Sequence, residues 1–148
     1  MISLDLIQKL REITGAGIMD CKKALEEAQG DLDEAKKILF EKGSARVELR
    51  KDKKTGAGIL EAYIHNNRIG VLLELRCETD FVARLDDFKN LAHEIAMQIA
   101  AMDPKDVNEL LTQPYIKDES ITVGDLIKKT QVKLGENMQI GSFSRLEL

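Results

Sequence analysis

The stretch LEAYIHNNRIGVLLELRC, residues 60–77, decides the fold class of this chain. Apolar residues recur at every second position on both sides of Asn66-Asn67. They are Leu60, Ala62 and Ile64 before that pair, and Val71, Leu73, Leu75 and Cys77 after it. A period of two is typical of β-strands, and asparagine tolerates the left-handed backbone of a tight turn. The stretch therefore predicts a β-hairpin.

The residues after the hairpin predict two helices and a third strand. Residues 86–102 carry apolar side chains at helical spacing, so one face of this helix should cover the hairpin. Thr122 and Asp125 have the spacing of a capping box and start a second helix. The loose alternation in residues 137–148 indicates a strand. The fold class predicted for residues 57–148 is therefore α+β, a three-stranded antiparallel sheet with two helices packed on one face.

Three short helices are predicted before the hairpin, in residues 1–43. Their apolar residues recur at helical spacing, and Gly15, Gly30 and Gly43 mark their ends, since glycine readily adopts the left-handed backbone that follows many helices. Residues 44–56 are rich in charge and indicate a solvated linker or an extension of the third helix. We therefore predict two domains, a three-helix bundle and an α+β core, joined by this charged segment.

The composition argues against several classes of protein. Of 148 residues, 22 are Lys or Arg and 26 are Asp or Glu, and the net charge of -4 does not favour binding to a phosphate backbone, so we expect no direct nucleic-acid partner. No apolar run approaches the roughly 18 residues of a membrane span, and the N-terminus lacks the basic start of a signal peptide. Cys21 and Cys77 lie far apart and belong to no zinc-binding pattern. We therefore expect a cytoplasmic protein that is not associated with membranes.

Motifs for cofactor binding or covalent catalysis are weak or missing in the sequence. The GAG sequences at residues 15–17 and 56–58 lack the preceding strand, the following helix and the third glycine of a dinucleotide site. The phosphate-binding pattern GxxxxGK[ST] does not occur. His65 and His93 are not accompanied by a motif for a nucleophile. We therefore predict no cofactor, no metal site and no enzymatic chemistry.

The segment CETDFVAR, residues 77–84, places an acid beside a large aromatic at the junction of a strand end and a helix start. Loops at such junctions often carry function on a rigid scaffold. In one interpretation, Phe81 and Val82 pack into the core. In the other, Phe81 is an exposed anchor for a pocket on a partner, with Asp80 as its polar neighbour. The segment is therefore the strongest candidate for a binding site.

Two motifs of this chain resemble the signatures of bacterial elongation factor Ts. They are LREITGAGIMDCKKAL, residues 10–25, and CETDFVAR, residues 77–84. Further similarity lies in HNNRIGVL at 65–72, QPYIKD at 113–118 and GEN at 135–137. The resemblance spans nearly the whole chain and indicates the short, single-core form of the family. It implies a ubiquitin-associated-like three-helix domain followed by an α+β core of the dimerisation type.

The resemblance also implies an activity, a partner and site residues. The family promotes release of GDP from elongation factor Tu during translation elongation, without covalent chemistry. The aromatic of its Thr-Asp-Phe motif inserts into the partner's nucleotide-binding domain and shifts the elements that hold Mg²⁺ and the GDP phosphates. This role falls here to Phe81, with Thr79, Asp80 and Val82 in the same motif.

The resemblance assigns a second contact to the N-terminal domain. In the family this domain grips a helix of the partner, which implies partner contacts for Arg11, Ile18 and Met19. From their position alone, packing within the bundle is the simpler account of Ile18 and Met19. Single-core members can also dimerise through their sheets, so a homodimer stays open here. Residues 103–112 form a shorter segment than relatives carry, which leaves contacts from that region open.

Two other functions stay open. A pure binding module would dock through its three-helix domain without promoting exchange, and activity that survives loss of Phe81 would favour it. An enzyme would use Asp80, Glu78 and a histidine, and turnover without a protein partner would support it. Glu74 lies near these acids and leaves a paired-carboxylate site open, although solvent-facing strand acids are the simpler interpretation.

Overall fold

Apolar stripes separated by helix-ending residues produce three helices at the start of the chain. A computed structural model describes all 148 residues, and these helices are α1, Leu4–Thr14; α2, Ile18–Glu27; and α3, Leu32–Leu49. Ser3 caps α1, because its side chain accepts a hydrogen bond from the Leu6 amide at 3.3 Å. Gly15 follows α1 with a φ of 72°, a left-handed backbone that glycine adopts with little steric cost. The predicted set of three N-terminal helices is confirmed.

The third helix is longer than its sequence predicts. It continues through Gly43 to Leu49, so the helix end predicted at Gly43 is wrong. A glycine inside a helix costs about 1 kcal/mol relative to alanine, and Ala45 and Arg46, which follow it, favour the helix. Arg46 also lies 3.9 Å from the Asp20 carboxylate on α2. The first part of the charged segment is therefore helical, as the alternative prediction allowed.

The chain divides into two compact units, Met1–Leu49 and Arg50–Leu148. Each unit has its own apolar core. In the first, Leu10, Cys21 and Leu25 are fully buried and join the helices. Burial of a leucine side chain contributes about 1.5 to 3 kcal/mol, so these few residues account for much of the stability of a bundle this small.

The second unit contains five strands and four helices. In chain order they are β1, Ala57–His65; β2, Ile69–Cys77; α4, Asp80–Ala83; α5, Asp86–Met102; α6, Val107–Thr112; β3, Pro114–Tyr115; β4, Asp118–Thr122; α7, Val123–Leu134; and β5, Met138–Glu147. Strands β1, β2 and β5 form an antiparallel sheet in the order β1-β2-β5, and β3 pairs with β4 in a separate two-stranded ribbon. The α+β fold class is confirmed, whereas α4, α6 and the ribbon were not predicted.

The alternating apolar residues that the sequence predicts for the two hairpin strands lie on opposite faces of the sheet. Ile59 pairs with Leu75 and Tyr63 pairs with Val71, so these four side chains share the face that packs against α5. Leu60, which belongs to the alternating pattern of β1, lies on the other face and is exposed. The alternation within each strand is as predicted. The register between the two strands decides which residues of β1 face the core.

Two backbone features shape this hairpin. Asn66 and Asn67 have φ values of 50° and 57°, which confirms the predicted tight turn. Gly58, early in β1, has a φ of 154°, and a Cβ atom placed there would collide with the carbonyl oxygen of Leu75. The close approach of β1 to β2 therefore requires glycine at this position.

The helix that leads into the last strand begins with the predicted capping box. The Thr122 side chain accepts a hydrogen bond from the Asp125 amide at 3.1 Å, and the Asp125 carboxylate accepts one from the Thr122 amide at 3.0 Å. None of the helices is long and apolar enough to cross a membrane.

Candidate functional site

The loop after β2 carries the predicted site. Strand β2 ends at Cys77, and the chain turns through Glu78 and Thr79 into α4. Thr79 has an extended backbone, with φ of -128° and ψ of 152°, and its hydroxyl accepts a hydrogen bond from the Val82 amide at 3.3 Å. The Cys77 thiol donates to the Thr79 carbonyl oxygen at 3.2 Å. Local hydrogen bonds therefore start α4 directly after the strand.

Neighbouring residues of α4 face in different directions. Phe81 is 72% exposed, whereas Val82 is 3% exposed and packs in the core of the second unit. Successive residues of a helix point about 100° apart, so burial of Val82 and Ala83 leaves Phe81 outside. The interpretation in which Phe81 packs into the core is wrong. Val82 is buried, so in the free chain its side chain anchors α4 to the core. Asp80 is exposed beside Phe81.

Glu136 holds the start of this loop. Its Oε1 atom accepts hydrogen bonds from the Glu78 amide at 3.1 Å and the Thr79 amide at 3.0 Å. Its Oε2 atom accepts a hydrogen bond from the Thr79 hydroxyl at 2.7 Å. Hydrogen bonds to an ionised carboxylate are about twice as strong as neutral ones. The residue lies directly after Gly135, which ends α7, so the loop is tied to the segment between α7 and β5.

Glu78 makes a second set of contacts at the same place. Its carboxylate accepts two hydrogen bonds from the Arg50 guanidinium, at 3.0 Å and 2.6 Å, and one from the Asn137 amide at 2.6 Å. The hydrogen bond from Arg50 holds the pKa of Glu78 below its ordinary value. The Asn137 side chain donates to the carbonyl oxygens of Lys51 and Lys53, at 3.2 Å and 2.9 Å. These contacts order the residues that precede β1.

Groups capable of covalent chemistry are engaged in other contacts. Burial raises the pKa of the Cys77 thiol to about 11, so the thiol is protonated near neutral pH and is a poor nucleophile. The Nδ1 atom of His65 lies 2.9 Å from the Tyr63 hydroxyl, and that of His93 lies 3.2 Å from the Glu61 carboxylate. No group of three or more His, Cys, Asp or Glu side chains could hold a metal ion.

Two of the acids near this loop, Glu74 and Glu78, are paired with arginines. Glu74 forms an ion pair with Arg76, and Glu78 forms its bidentate pair with Arg50. Each glutamate thus has its own basic partner, an arrangement typical of structural ion pairs. Asp80 is exposed to solvent, whereas Glu74 and Glu78 are only partly exposed.

The other predicted contacts lie at the turn between α1 and α2. Ile18 and Met19 are 54% and 59% exposed at the start of α2, so the account in which they pack within the bundle is wrong. Arg11, in the last turn of α1, donates a hydrogen bond from Nε to the Ala16 carbonyl oxygen at 3.3 Å. Together these residues form an exposed apolar surface with a basic edge.

Sequence reasoning missed the residues that support the loop. The GEN match contains Glu136 and Asn137, and the charged segment 44–56 contains Arg50, but neither pattern predicts a contact with the loop. Arg50 and Glu78 are 28 positions apart, and Thr79 and Glu136 are 57 positions apart. No local sequence pattern predicts contacts between residues so far apart. The only signal for the contact of Thr79 with Glu136 is the family match at residues 135–137, which contains Glu136.

Comparison with known proteins gives consistent matches. A family model described as elongation factor TS matches residues 78–148. The elongation factor Ts of Thermotoga neapolitana is 43% identical over 191 aligned positions, which cover 99% of this chain and 97% of the relative. That of Coprothermobacter proteolyticus is 42% identical, with 99% and 98% covered, and that of Carboxydothermus hydrogenoformans is 41% identical, with 100% and 89% covered.

The alignments also show what is missing here. The first alignment has 191 positions and this chain has 148 residues, so at least 43 aligned positions of that relative have no counterpart in it. The chain nevertheless covers nearly the full length of these relatives at more than 40% identity. On this evidence the chain belongs to the elongation factor Ts family, a family of translation elongation factors.

Proposed function

We propose that this chain binds elongation factor Tu in the cytoplasm and promotes release of GDP from it during translation elongation. The observation that carries the proposal is Phe81, a large aromatic side chain that is 72% exposed on a helix whose next residue is buried. Aromatic side chains that fill pockets on a partner are typical energetic centres of protein interfaces. Membership of the elongation factor Ts family supports the choice of partner.

The proposed mechanism requires no covalent step and no cofactor. Coupling between two ligands of one protein is reciprocal. Binding of this chain therefore lowers the affinity of elongation factor Tu for GDP by the same factor by which GDP lowers its affinity for this chain. Full burial of a phenylalanine contributes about 1.5 to 3 kcal/mol, and each tenfold increase in the rate of release needs about 1.4 kcal/mol. Insertion of Phe81 alone can therefore account for a roughly tenfold to hundredfold acceleration, provided that its binding energy is realised where the phosphates and Mg²⁺ are held.

The two units have different roles in this proposal. The three-helix unit is a ubiquitin-associated-like domain that docks on the partner through Arg11, Ile18 and Met19. The exposure of the two apolar side chains supports this role. The α+β unit carries Phe81, with Asp80 and Thr79 beside it. Docking sets the affinity, and insertion of the aromatic sets the rate of GDP release.

A second copy of this chain is the partner we propose for the outer face of the three-stranded sheet. Four large apolar side chains are exposed there: Leu60, Ile64, Leu72 and Leu146. Large apolar side chains that are exposed together on one face of a sheet are typical of an interaction surface. Sedimentation equilibrium should give a dimer for the natural chain and a monomer for Leu72→Glu, and equal masses for the two would rule out this surface.

The main proposal is tested by the release of fluorescent GDP from purified elongation factor Tu. The natural chain should accelerate release in a saturable way. A pure binding module would form the complex but leave the release rate unchanged. An enzyme would show turnover on a small substrate in the absence of the GTPase. The pairing of Glu78 with Arg50 and the contact of His65 with Tyr63 do not favour this function.

A further inference from the structure

We infer that Glu136 is a positioning residue for nucleotide exchange: its carboxylate fixes the start of α4 and thereby the direction in which Phe81 points. This inference rests on the proposed function, in which Phe81 is the inserting group. Glu136 itself lies outside the Thr-Asp-Phe motif, between α7 and β5. Its effect on exchange would therefore be transmitted through the loop.

The contacts of Glu136 converge on the residues just before Phe81. Both carboxylate oxygens are used, with the amides of Glu78 and Thr79 on one and the Thr79 hydroxyl on the other. The same hydroxyl oxygen accepts the amide hydrogen of Val82. One threonine hydroxyl thus connects Glu136 to the first turn of α4, on which Phe81 lies.

Helix α4 needs such support because it has only four residues, Asp80–Ala83. Forming a first helical turn fixes several backbone dihedral angles for a single hydrogen bond, so an unsupported helix of this length is unstable. Val82 holds it from the core side. Without Glu136, the two amides at its start and the Thr79 hydroxyl lose their shared acceptor, and the turn is fixed on one side only.

The hydrogen bonds between residues 78–79 and residues 136–137 run in both directions. Glu136 accepts hydrogen bonds from the backbone of residues 78–79, and Glu78 accepts one from the backbone amide of Asn137 at 2.6 Å. Arg50 completes the arrangement by pairing with Glu78. Two segments that are distant in the chain therefore hold each other through a carboxylate from each side.

A loosened loop should slow exchange without preventing docking. Phe81 is exposed in the free chain, so its own side chain makes little core contact, and its direction depends on how firmly Val82 and Glu136 hold α4. A side chain that samples several directions must be ordered when it inserts, and that ordering reduces the free energy available from binding. The expected loss is in the release rate at saturation, because the surface formed by Ile18 and Met19 does not include this loop.

The experiment compares Glu136→Ala, Glu136→Gln and the control Glu119→Ala, an exposed carboxylate on β4. At saturating factor, Glu136→Ala should release fluorescent GDP about five- to tenfold more slowly, with less than a twofold change in the half-saturating concentration. Glu136→Gln keeps an oxygen for the two amides and should be intermediate. Glu119→Ala should match the natural chain. Amide hydrogen exchange should accelerate in residues 79–83 and not in α5.

Combination with Phe81→Ala separates this inference from the proposed function. If Glu136 acts through Phe81, adding Glu136→Ala to Phe81→Ala should cause no further loss of rate. The inference is overturned if Glu136→Ala releases GDP at the natural rate while Phe81→Ala is slow. If Phe81→Ala itself retains the natural rate, the proposed insertion fails, whatever Glu136 does. Should Glu136→Ala not fold, Glu136→Gln decides by the same criteria.

Discussion

Replacing Phe81 by alanine separates the insertion mechanism from a structural role. Truncation of a fully buried phenylalanine costs about 3 to 5 kcal/mol of folding stability. Because Phe81 is 72% exposed, only about a quarter of that surface is buried in the free chain, and Phe81→Ala should cost about 1 kcal/mol. The matched variant Val82→Ala removes a buried side chain from the same helix and should cost about 2 kcal/mol.

The effect on exchange should have the opposite order. Phe81→Ala removes the inserting group, and the loss of about 1.5 to 3 kcal/mol in the complex should slow GDP release at least tenfold. Complex formation should persist, because the surface of the three-helix unit is unchanged. Asp80→Ala should have a milder effect, since it removes a polar neighbour and leaves the aromatic in place.

Thermal unfolding and release of fluorescent GDP from elongation factor Tu, measured on the same preparations, check these expectations. The melting temperature should fall more for Val82→Ala than for Phe81→Ala. The release rate should fall more for Phe81→Ala than for the folded fraction of Val82→Ala. A large drop in melting temperature for Phe81→Ala, with exchange activity retained by its folded fraction, would refute the insertion mechanism.

Three further predictions concern the scaffold. Gly58→Ala should destabilise the chain by more than about 2 kcal/mol in urea unfolding, because the new Cβ atom would collide with the backbone of Leu75. The control Gly56→Ala has open space around the new Cβ atom and should change the stability little. Deletion of residues 1–49 should leave the α+β unit folded, as measured by circular dichroism, and should weaken partner binding, as measured by calorimetry. A fragment that is unfolded, or that binds the partner as tightly as the full chain, would contradict the separate roles of the units. Pairing with Arg50 lowers the pKa of Glu78, so the folded state binds fewer protons than the unfolded state and stability should decrease as pH falls below about 4.5. Urea titrations at several pH values should show a smaller decrease for Arg50→Gln, and identical profiles would argue against this ion pair.

Local patterns determined most of the elements of this protein. The period of two around Asn66-Asn67 predicted the hairpin, since strand alternation and turn conformation depend on adjacent residues. The three-residue spacing of Thr122 and Asp125 predicted a capped helix for the same reason. Where the local signal was ambiguous, prediction failed: the glycine at position 43 suggested a helix end, but the residues after it favour the helix and sustain it.

Only the tertiary structure decided how these elements present their side chains. The pairing of β1 with β2 placed Ile59 in the core and left Leu60 exposed, because a change of one residue in register exchanges the two faces of a strand. Both signature motifs were visible in the sequence, yet the exposure of Phe81 followed from the burial of its neighbour. The contact between Thr79 and Glu136 joins residues 57 positions apart. Such a contact depends on where α7 and β5 bring the chain, and no local pattern carries that information.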